Sequence, residues 1–124
     1  MYNILMIEDD EMQLALQRSI LMDAGYTVHA TADGPQGIQI FKKNKIDLVL
    51  LDLGIPSMSG IDVLQEVIRI DPDANVIVIT GYPSVESSAM AMKFGALDYI
   101  EKPVDVKFLL KRIKSILHNN ISKK

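Results

Sequence analysis

The chain has no cysteine among its 124 residues. Disulfides and thiolate metal sites are therefore excluded, and the redox compartment stays open on that criterion. No apolar run approaches the roughly 20 residues that a membrane-spanning helix needs. The opening MYNILMIEDD has neither the basic start nor the apolar stretch of a secretory leader. These absences lead us to expect a soluble, cytoplasmic protein. Basic residues are outnumbered by acidic ones, 13 to 16, for a formal net charge of −3, and no broad basic face for nucleic acid is expected. There is no glycine-rich phosphate loop of the P-loop or dinucleotide type. Neither an internal linker nor a low-complexity tract or a repeat interrupts the chain.

What the sequence does contain is alternation. Five short apolar stretches, at 3–7, 27–30, 47–51, 75–80 and 97–100, are expected strands. Three of them are nearly continuous apolar runs, as suits parallel strands covered on both faces. Between them lie segments of helical length at 12–24, 35–43, 60–70 and 84–94, and a last one follows at about 105–118. Gly25 and Gly95 stop two of these, Lys42 and Lys43 suit a helix C-terminus, and Asp71–Pro72 breaks another. The segment at 84–94 is only weakly amphipathic. Strand followed by helix, five times over, predicts one α/β domain with a parallel sheet between two helical layers.

In such open sheets, ligands bind beyond the carboxyl ends of the strands. The residues there are Glu8, Asp9 and Asp10 after the first strand, Asp52 after the third, Thr80 and Gly81 after the fourth, and Glu101, Lys102 and Pro103 after the fifth. Each has a bland reading taken alone. Asp52 suits a turn or cap, Asp10 an N-cap, Thr80 a strand, and Lys102 a surface turn. Brought to one patch, however, two carboxylates about 4 Å apart repel by roughly 4 kcal/mol at an effective dielectric near 20. A proton, a lysine or a hard cation would relieve that repulsion. Mg²⁺ prefers such oxygen ligands, with phosphate oxygens and water completing its octahedron. Asp52 could then act as a nucleophile towards phosphorus, with metal and lysine offsetting the developing charge.

The segments ILMIEDDE at 4–11, DLVLLDLGIPSMSG at 47–60, VIVITGY at 76–82 and GALDYIEKPVD at 95–105 closely resemble the receiver domain of bacterial two-component response regulators. The resemblance covers essentially the whole domain. It implies a doubly wound five-stranded sheet in the order 2-1-3-4-5, a receiver domain over 1–120 and a short tail at 121–124. It further implies that Asp52 is the phosphoacceptor, and that Glu8, Asp9, Asp52 and the Gly54 backbone carbonyl bind Mg²⁺, or Mn²⁺ in its place. Thr80 and Lys102 would contact the phosphoryl group. Pro103 would be a cis-proline that aims Lys102 inward. Tyr99 would be an aromatic switch, buried when Thr80 is drawn towards phosphate and exposed otherwise; a plain core aromatic is the other reading.

The expected partners are a sensor histidine kinase or histidine phosphotransfer protein, docking on the first helix and the 52–60 loop. An output partner or effector domain would read the face made by the fourth helix, fifth strand and fifth helix, and a phosphorylation-dependent dimer fits the same resemblance. Neither nucleic acid nor membrane is expected to bind this domain directly. Apart from its own phosphorylation and dephosphorylation, no catalysis is expected. Two features depart from familiar members: Gly54 has no side chain where many carry Asn or Met, and Tyr82 is bulky. Both flank the expected path of hydrolytic water, so Tyr82 is expected to shield the site partly. Pro56 would stiffen the loop that follows Asp52, and Ser59 or Gly60 would start the next helix. Two alternatives remain at this stage. One is a phospho-independent docking module of the same fold. The other is a phosphatase of the haloacid dehalogenase type, which would need D-x-D at the first strand exit, whereas Asp52 follows the third and Gly54 fills the second position.

Overall fold

A computed structural model describes residues 1–55 and 58–118. Pro56, expected to stiffen a loop, and the tail at 121–124, with the domain boundary at 120, lie outside the described residues. Five strands alternate with five helices. They are β1 (Asn3–Ile7), α1 (Glu11–Asp23), β2 (Thr27–Thr31), α2 (Gly34–Lys43), β3 (Leu48–Asp52), α3 (Gly60–Ile70), β4 (Val76–Thr80), α4 (Val85–Lys93), β5 (Asp98–Glu101) and α5 (Val106–His118). The sheet is parallel throughout and its order is β2-β1-β3-β4-β5. The expected elements are all present, with ends that shift by a residue. Asp52 and Glu101 are the last residues of their strands, not the first beyond them.

Strand side chains alternate between two cores, as a period of two requires. Leu5, Ile7, Val49, Leu51, Val76 and Val78 face α2, α3 and α4, where they meet Phe41, Leu64 and Ala91. Ile4, Met6, Leu48, Leu50, Ile77 and Ile79 face α1 and α5, where they meet Leu21, Leu109 and Ile113. This explains the unbroken apolar runs of β3 and β4: every residue of both strands is buried. Each fully buried aliphatic side chain contributes about 1.5–3 kcal/mol of transfer free energy, so the central strands are the stiffest part of the platform.

Helix starts and stops follow local chemistry. Asp10 caps α1, its side chain accepting from the Met12 and Gln13 N–H groups, and Asp33 and Ser84 cap α2 and α4 in the same way. Gly25 and Gly95 take φ of +99° and +110° just past helix ends, a region that favours glycine. At Gly60 the constraint is space: a Cβ there would lie 2.5 Å from Leu53 Cα and 3.0 Å from the Leu53 carbonyl oxygen. Leu53, just after Asp52, is thus packed hard against Gly60 at the start of α3.

Candidate functional site

Because β1, β3, β4 and β5 are parallel, their C-terminal ends gather Glu8, Asp52, Thr80 and Lys102 at one edge of the sheet. Glu8 follows β1, and its backbone N–H donates to the Thr31 carbonyl at 3.0 Å. Its Oε2 accepts from the Asp10 N–H at 3.1 Å, and its Oε1 from Lys102 Nζ at 2.8 Å. Asp52 Oδ1 accepts from the Gly54 N–H at 2.9 Å, and Oδ2 from Lys102 Nζ at 3.0 Å. Glu8 and Asp52 are buried, while Asp9 is exposed. Lys102 therefore bridges the two buried carboxylates. It enters from β5 with its backbone N–H on the Thr80 carbonyl at 2.8 Å, and the Lys102–Pro103 peptide is cis, as expected.

These groups line a cleft of about 690 Å³, which also takes in Asp9, Asp10, Gln13, Gly54, Gly81 and Tyr82. The neighbours split the two buried acids. Burial, reinforced by the adjacent Asp52, raises the Glu8 pKa above the ordinary carboxylate value. Burial acts on Asp52 in the same sense, but its hydrogen-bonded neighbours Glu8, Gly54 and Lys102 outweigh it and lower its pKa. For Lys102, desolvation is outweighed by the bonds to Glu8 and Asp52, and its pKa is raised. Asp52 is thus the carboxylate held ionised and available as a nucleophile, and Glu8 the one most ready to accept a proton.

Oxygen atoms of Glu8, Asp9 and Asp52 lie within 4.8 Å of one another. With all three carboxylates ionised, Lys102 leaves this cluster two negative charges in excess. An all-oxygen donor set with that surplus fits a hard divalent cation, and Mg²⁺ in particular. Asp10 lines the cleft but stands outside this cluster; its carboxylate is spent on capping α1.

Two expected site residues are placed differently from the rest. Thr80 is buried and does not line the acidic cleft. It lines a neighbouring cavity of about 250 Å³, with Gly54 and Tyr82 bordering both. Its Oγ1 accepts from the Tyr82 N–H at 3.1 Å. Tyr82 itself borders the cleft while standing 88 % exposed. Tyr99 is half-buried, packing on the α2–α4 side of the sheet. Its hydroxyl meets Ser84 N–H and Ser87 Oγ at the start of α4. The two serines were missed from sequence; the only signal was the S-x-x-S spacing at a helix start.

A doubly wound α/β domain, with an acidic cleft and an inward lysine at the carboxyl edge of its sheet, defines a narrow class of protein. Residues 4–114 match the response regulator receiver domain family, and the chain belongs to that family. It is 33 % identical over 121 residues to the transcriptional regulatory protein ZraR of Klebsiella oxytoca, covering 97 % of this chain and 27 % of that protein. The chain thus spans about a quarter of the length of that relative. Among solved structures, a CheY-like receiver domain protein from Methanospirillum hungatei superposes with a TM-score of 0.95 at 31 % identity, over 100 % of this chain and 99 % of the other. The response regulator TrrA of Thermotoga maritima, solved in complex with Mg²⁺ and BeF, superposes with a TM-score of 0.86 at 27 % identity, over 94 % of this chain and 100 % of that one. The chain is therefore a receiver domain of two-component signalling, a phosphorylation switch. The haloacid dehalogenase reading has no support, since Asp52 ends β3 and the first strand leads to Glu8 and Asp9.

Proposed function

We propose that Asp52 is the phosphoacceptor, that Glu8, Asp9, Asp52 and the Gly54 carbonyl hold Mg²⁺, and that Thr80 and Lys102 receive the phosphoryl group. The observation that carries this is the buried Asp52 at the centre of the carboxyl edge, paired to Lys102 and within reach of two further carboxylates. An Asp52 carboxylate oxygen attacks phosphorus of a phosphohistidine or a small acyl phosphate. The P–N or P–O bond breaks, the leaving group departs with its electron pair, and an acyl phosphate forms on Asp52. The divalent ion, when bound, neutralises charge on the transferring phosphoryl oxygens. Lys102 supplies a fixed ammonium beside Oδ2, and Gly54 N–H steadies Oδ1. Beryllofluoride is a tetrahedral mimic of a phosphoryl group, so the Mg²⁺ and BeF complex of TrrA supports the same use of this edge.

The phosphodonor is a sensor histidine kinase or histidine phosphotransfer protein, docking on α1 and the 52–60 loop. The readout face is α4–β5–α5, offered to an effector domain, an output partner or a second copy. The domain catalyses only its own phosphorylation and dephosphorylation. Intact mass of wild type and Asp52→Asn after acetyl phosphate, with Mg²⁺ or with excess chelator, tests the assignment. One phosphoryl adduct on wild type alone, and only with Mg²⁺, is expected. An adduct on Asp52→Asn, or none on a folded wild type, overturns it.

A further inference from the structure

We infer that Gln13 is a positioning residue of the metal site: its carboxamide oxygen holds a water of the bound Mg²⁺ and so helps set metal affinity without ligating the ion. The inference rests on the Mg²⁺ reading above. It starts from the inward stripe of α1. Gln13, Gln17 and Leu21 follow one another at four-residue spacing, half-buried at the first two and buried at the third. Glu11 and Met12, beside Gln13, are exposed. At its Leu21 end the stripe packs on the sheet with Ile4, Met6 and Leu50. At its other end it meets the acidic cleft, which Gln13 lines together with Asp9, Asp52 and Gly54. A carboxamide thus stands where the stripe leaves the apolar core.

No other group claims that carboxamide. The Gln13 backbone N–H is tied to Asp10 Oδ1 at 3.1 Å, which fixes the first turn of α1, while the side-chain amide bonds to no other described residue. The charged oxygens around it are already in use. Glu8 accepts from Lys102 and from the Asp10 N–H, and Asp52 from Lys102 and from the Gly54 N–H. The Asp10 carboxylate caps α1. Mg²⁺ takes an octahedron of oxygens and parts with water reluctantly. One oxygen from each of Glu8, Asp9, Asp52 and the Gly54 carbonyl therefore leaves places for water. A water on a divalent ion is a strong hydrogen-bond donor, and partners one step removed from a metal tune its affinity by orienting what binds it. Gln13 Oε1 is a neutral carbonyl, so it accepts from such a water without adding to the surplus of negative charge on the cluster. Of the residues lining the cleft, Tyr82 alone also offers an uncharged side-chain oxygen, and Tyr82 stands out in solvent.

Metal titrations followed by amide chemical shifts test this in wild type, Gln13→Met, Gln13→Ala, Gln17→Met and Asp52→Asn, with Mg²⁺ and separately with Ca²⁺. The same spectra report the fold. Methionine keeps the length of the side chain and removes the carbonyl acceptor. One hydrogen bond lost from the loaded site gives roughly five-fold weaker Mg²⁺ binding for Gln13→Met and for Gln13→Ala. Gln17 lies one turn along the same stripe and lines the gap between α1 and α5 instead, so Gln17→Met is expected to bind as wild type does. Ca²⁺, whose ligation is more flexible and less dependent on retained water, is expected to lose less than Mg²⁺. Unchanged Mg²⁺ affinity in both Gln13 variants, beside normal wild-type binding, overturns the role of Gln13 alone. An equal loss in Gln17→Met shows an effect of α1 as a whole and overturns it too. So does a loss of Ca²⁺ affinity as large as that of Mg²⁺, which marks direct ligation or a general disturbance of the cleft. A folded wild type that binds Mg²⁺ no better than Asp52→Asn overturns the metal reading, and the role of Gln13 with it.

Discussion

Replacing Lys102 by methionine keeps most of the apolar stem and removes the ammonium that spans Glu8 at 2.8 Å and Asp52 at 3.0 Å. At an effective dielectric near 20 each of those contacts carries about 5–6 kcal/mol of Coulomb attraction. Against this stands the desolvation of three charged groups, with side-chain exposures of 15 % for Lys102, 6 % for Glu8 and 8 % for Asp52. Removing one member of a buried ion cluster leaves the others uncompensated, and the net loss at neutral pH is expected to be about 3 kcal/mol. The loss is capped by chemistry already visible in the fold: Glu8, whose pKa is raised, takes up a proton when its cation leaves. The destabilisation is therefore larger at pH 7.5 than at pH 5. Urea unfolding followed by circular dichroism in chelator should show the midpoint falling by about 1–2 M at pH 7.5, with added Mg²⁺ restoring most of it. A variant as stable as wild type at pH 7.5, or equally destabilised at both pH values, refutes the reasoning.

Other perturbations separate the parts of the site. Gly60→Ala puts a methyl group 2.5 Å from Leu53 Cα and should cost about 2–3 kcal/mol in the same urea assay; no loss would mean that the Gly60–Leu53 contact does not constrain the fold. Asp10→Ala removes a cap with bonds of 3.0 and 3.1 Å and should cost about 1 kcal/mol, while Mg²⁺ titration shows little change. A large drop in Mg²⁺ affinity would instead make Asp10 a ligand. Because the Glu8 pKa lies above 4.5, the proton competes with the metal, so Mg²⁺ affinity should fall with pH before an ordinary glutamate would titrate. In the metal-free protein the same raised value means that stability rises as pH falls through it, down to the unfolded value. The lowered Asp52 value acts oppositely, and its stabilisation is lost only as pH falls below 3.8; a Mg²⁺ affinity that stays flat as pH falls all the way to 4.5, the ordinary glutamate value, would contradict the assignment to Glu8. Tyr82→Ala should speed loss of the phosphoryl group, measured by intact mass over time, and an unchanged or slower rate removes Tyr82 as a shield.

The order of elements was legible because β3 and β4 are covered on both faces, and such strands read as unbroken apolar runs. Their ends were harder. Asp52 and Glu101 are polar and so read as loop, yet Asp52 pairs with Ile79 and Thr80 with Glu101 in the sheet; backbone pairing continued past the last apolar residue. The acidic residues and Lys102 were legible as a set because parallel topology brings strand exits to one edge. Which of them touch was not, since Lys102 bridging Glu8 and Asp52 depends on the path of β5 beside β4. The separation of Thr80 from the cleft was equally hidden. The Thr80 hydroxyl oxygen instead accepts from the Tyr82 N–H in the turn after β4. Gly60 was read as a helix start, but the reason for glycine there is contact with Leu53, which no local pattern encodes.

The arrangement distinguishes a metal from a phosphoryl group as signals. A divalent ion in the cleft answers the charge surplus on Glu8, Asp9 and Asp52, but it gives Thr80 nothing to bind, because that side chain lines the other cavity and already has a donor in Tyr82 N–H. On the proposed assignment, a phosphoryl group on Asp52 would add oxygen acceptors for the Thr80 O–H, which Oγ1 can donate while it accepts from Tyr82 N–H. It also competes for Lys102, whose backbone is bonded to the Thr80 carbonyl. Both routes converge on the turn after β4, where Ser84 and Tyr99 meet. On the proposed assignment, metal alone would ready the site, and only the covalent group would offer the Thr80 O–H an acceptor.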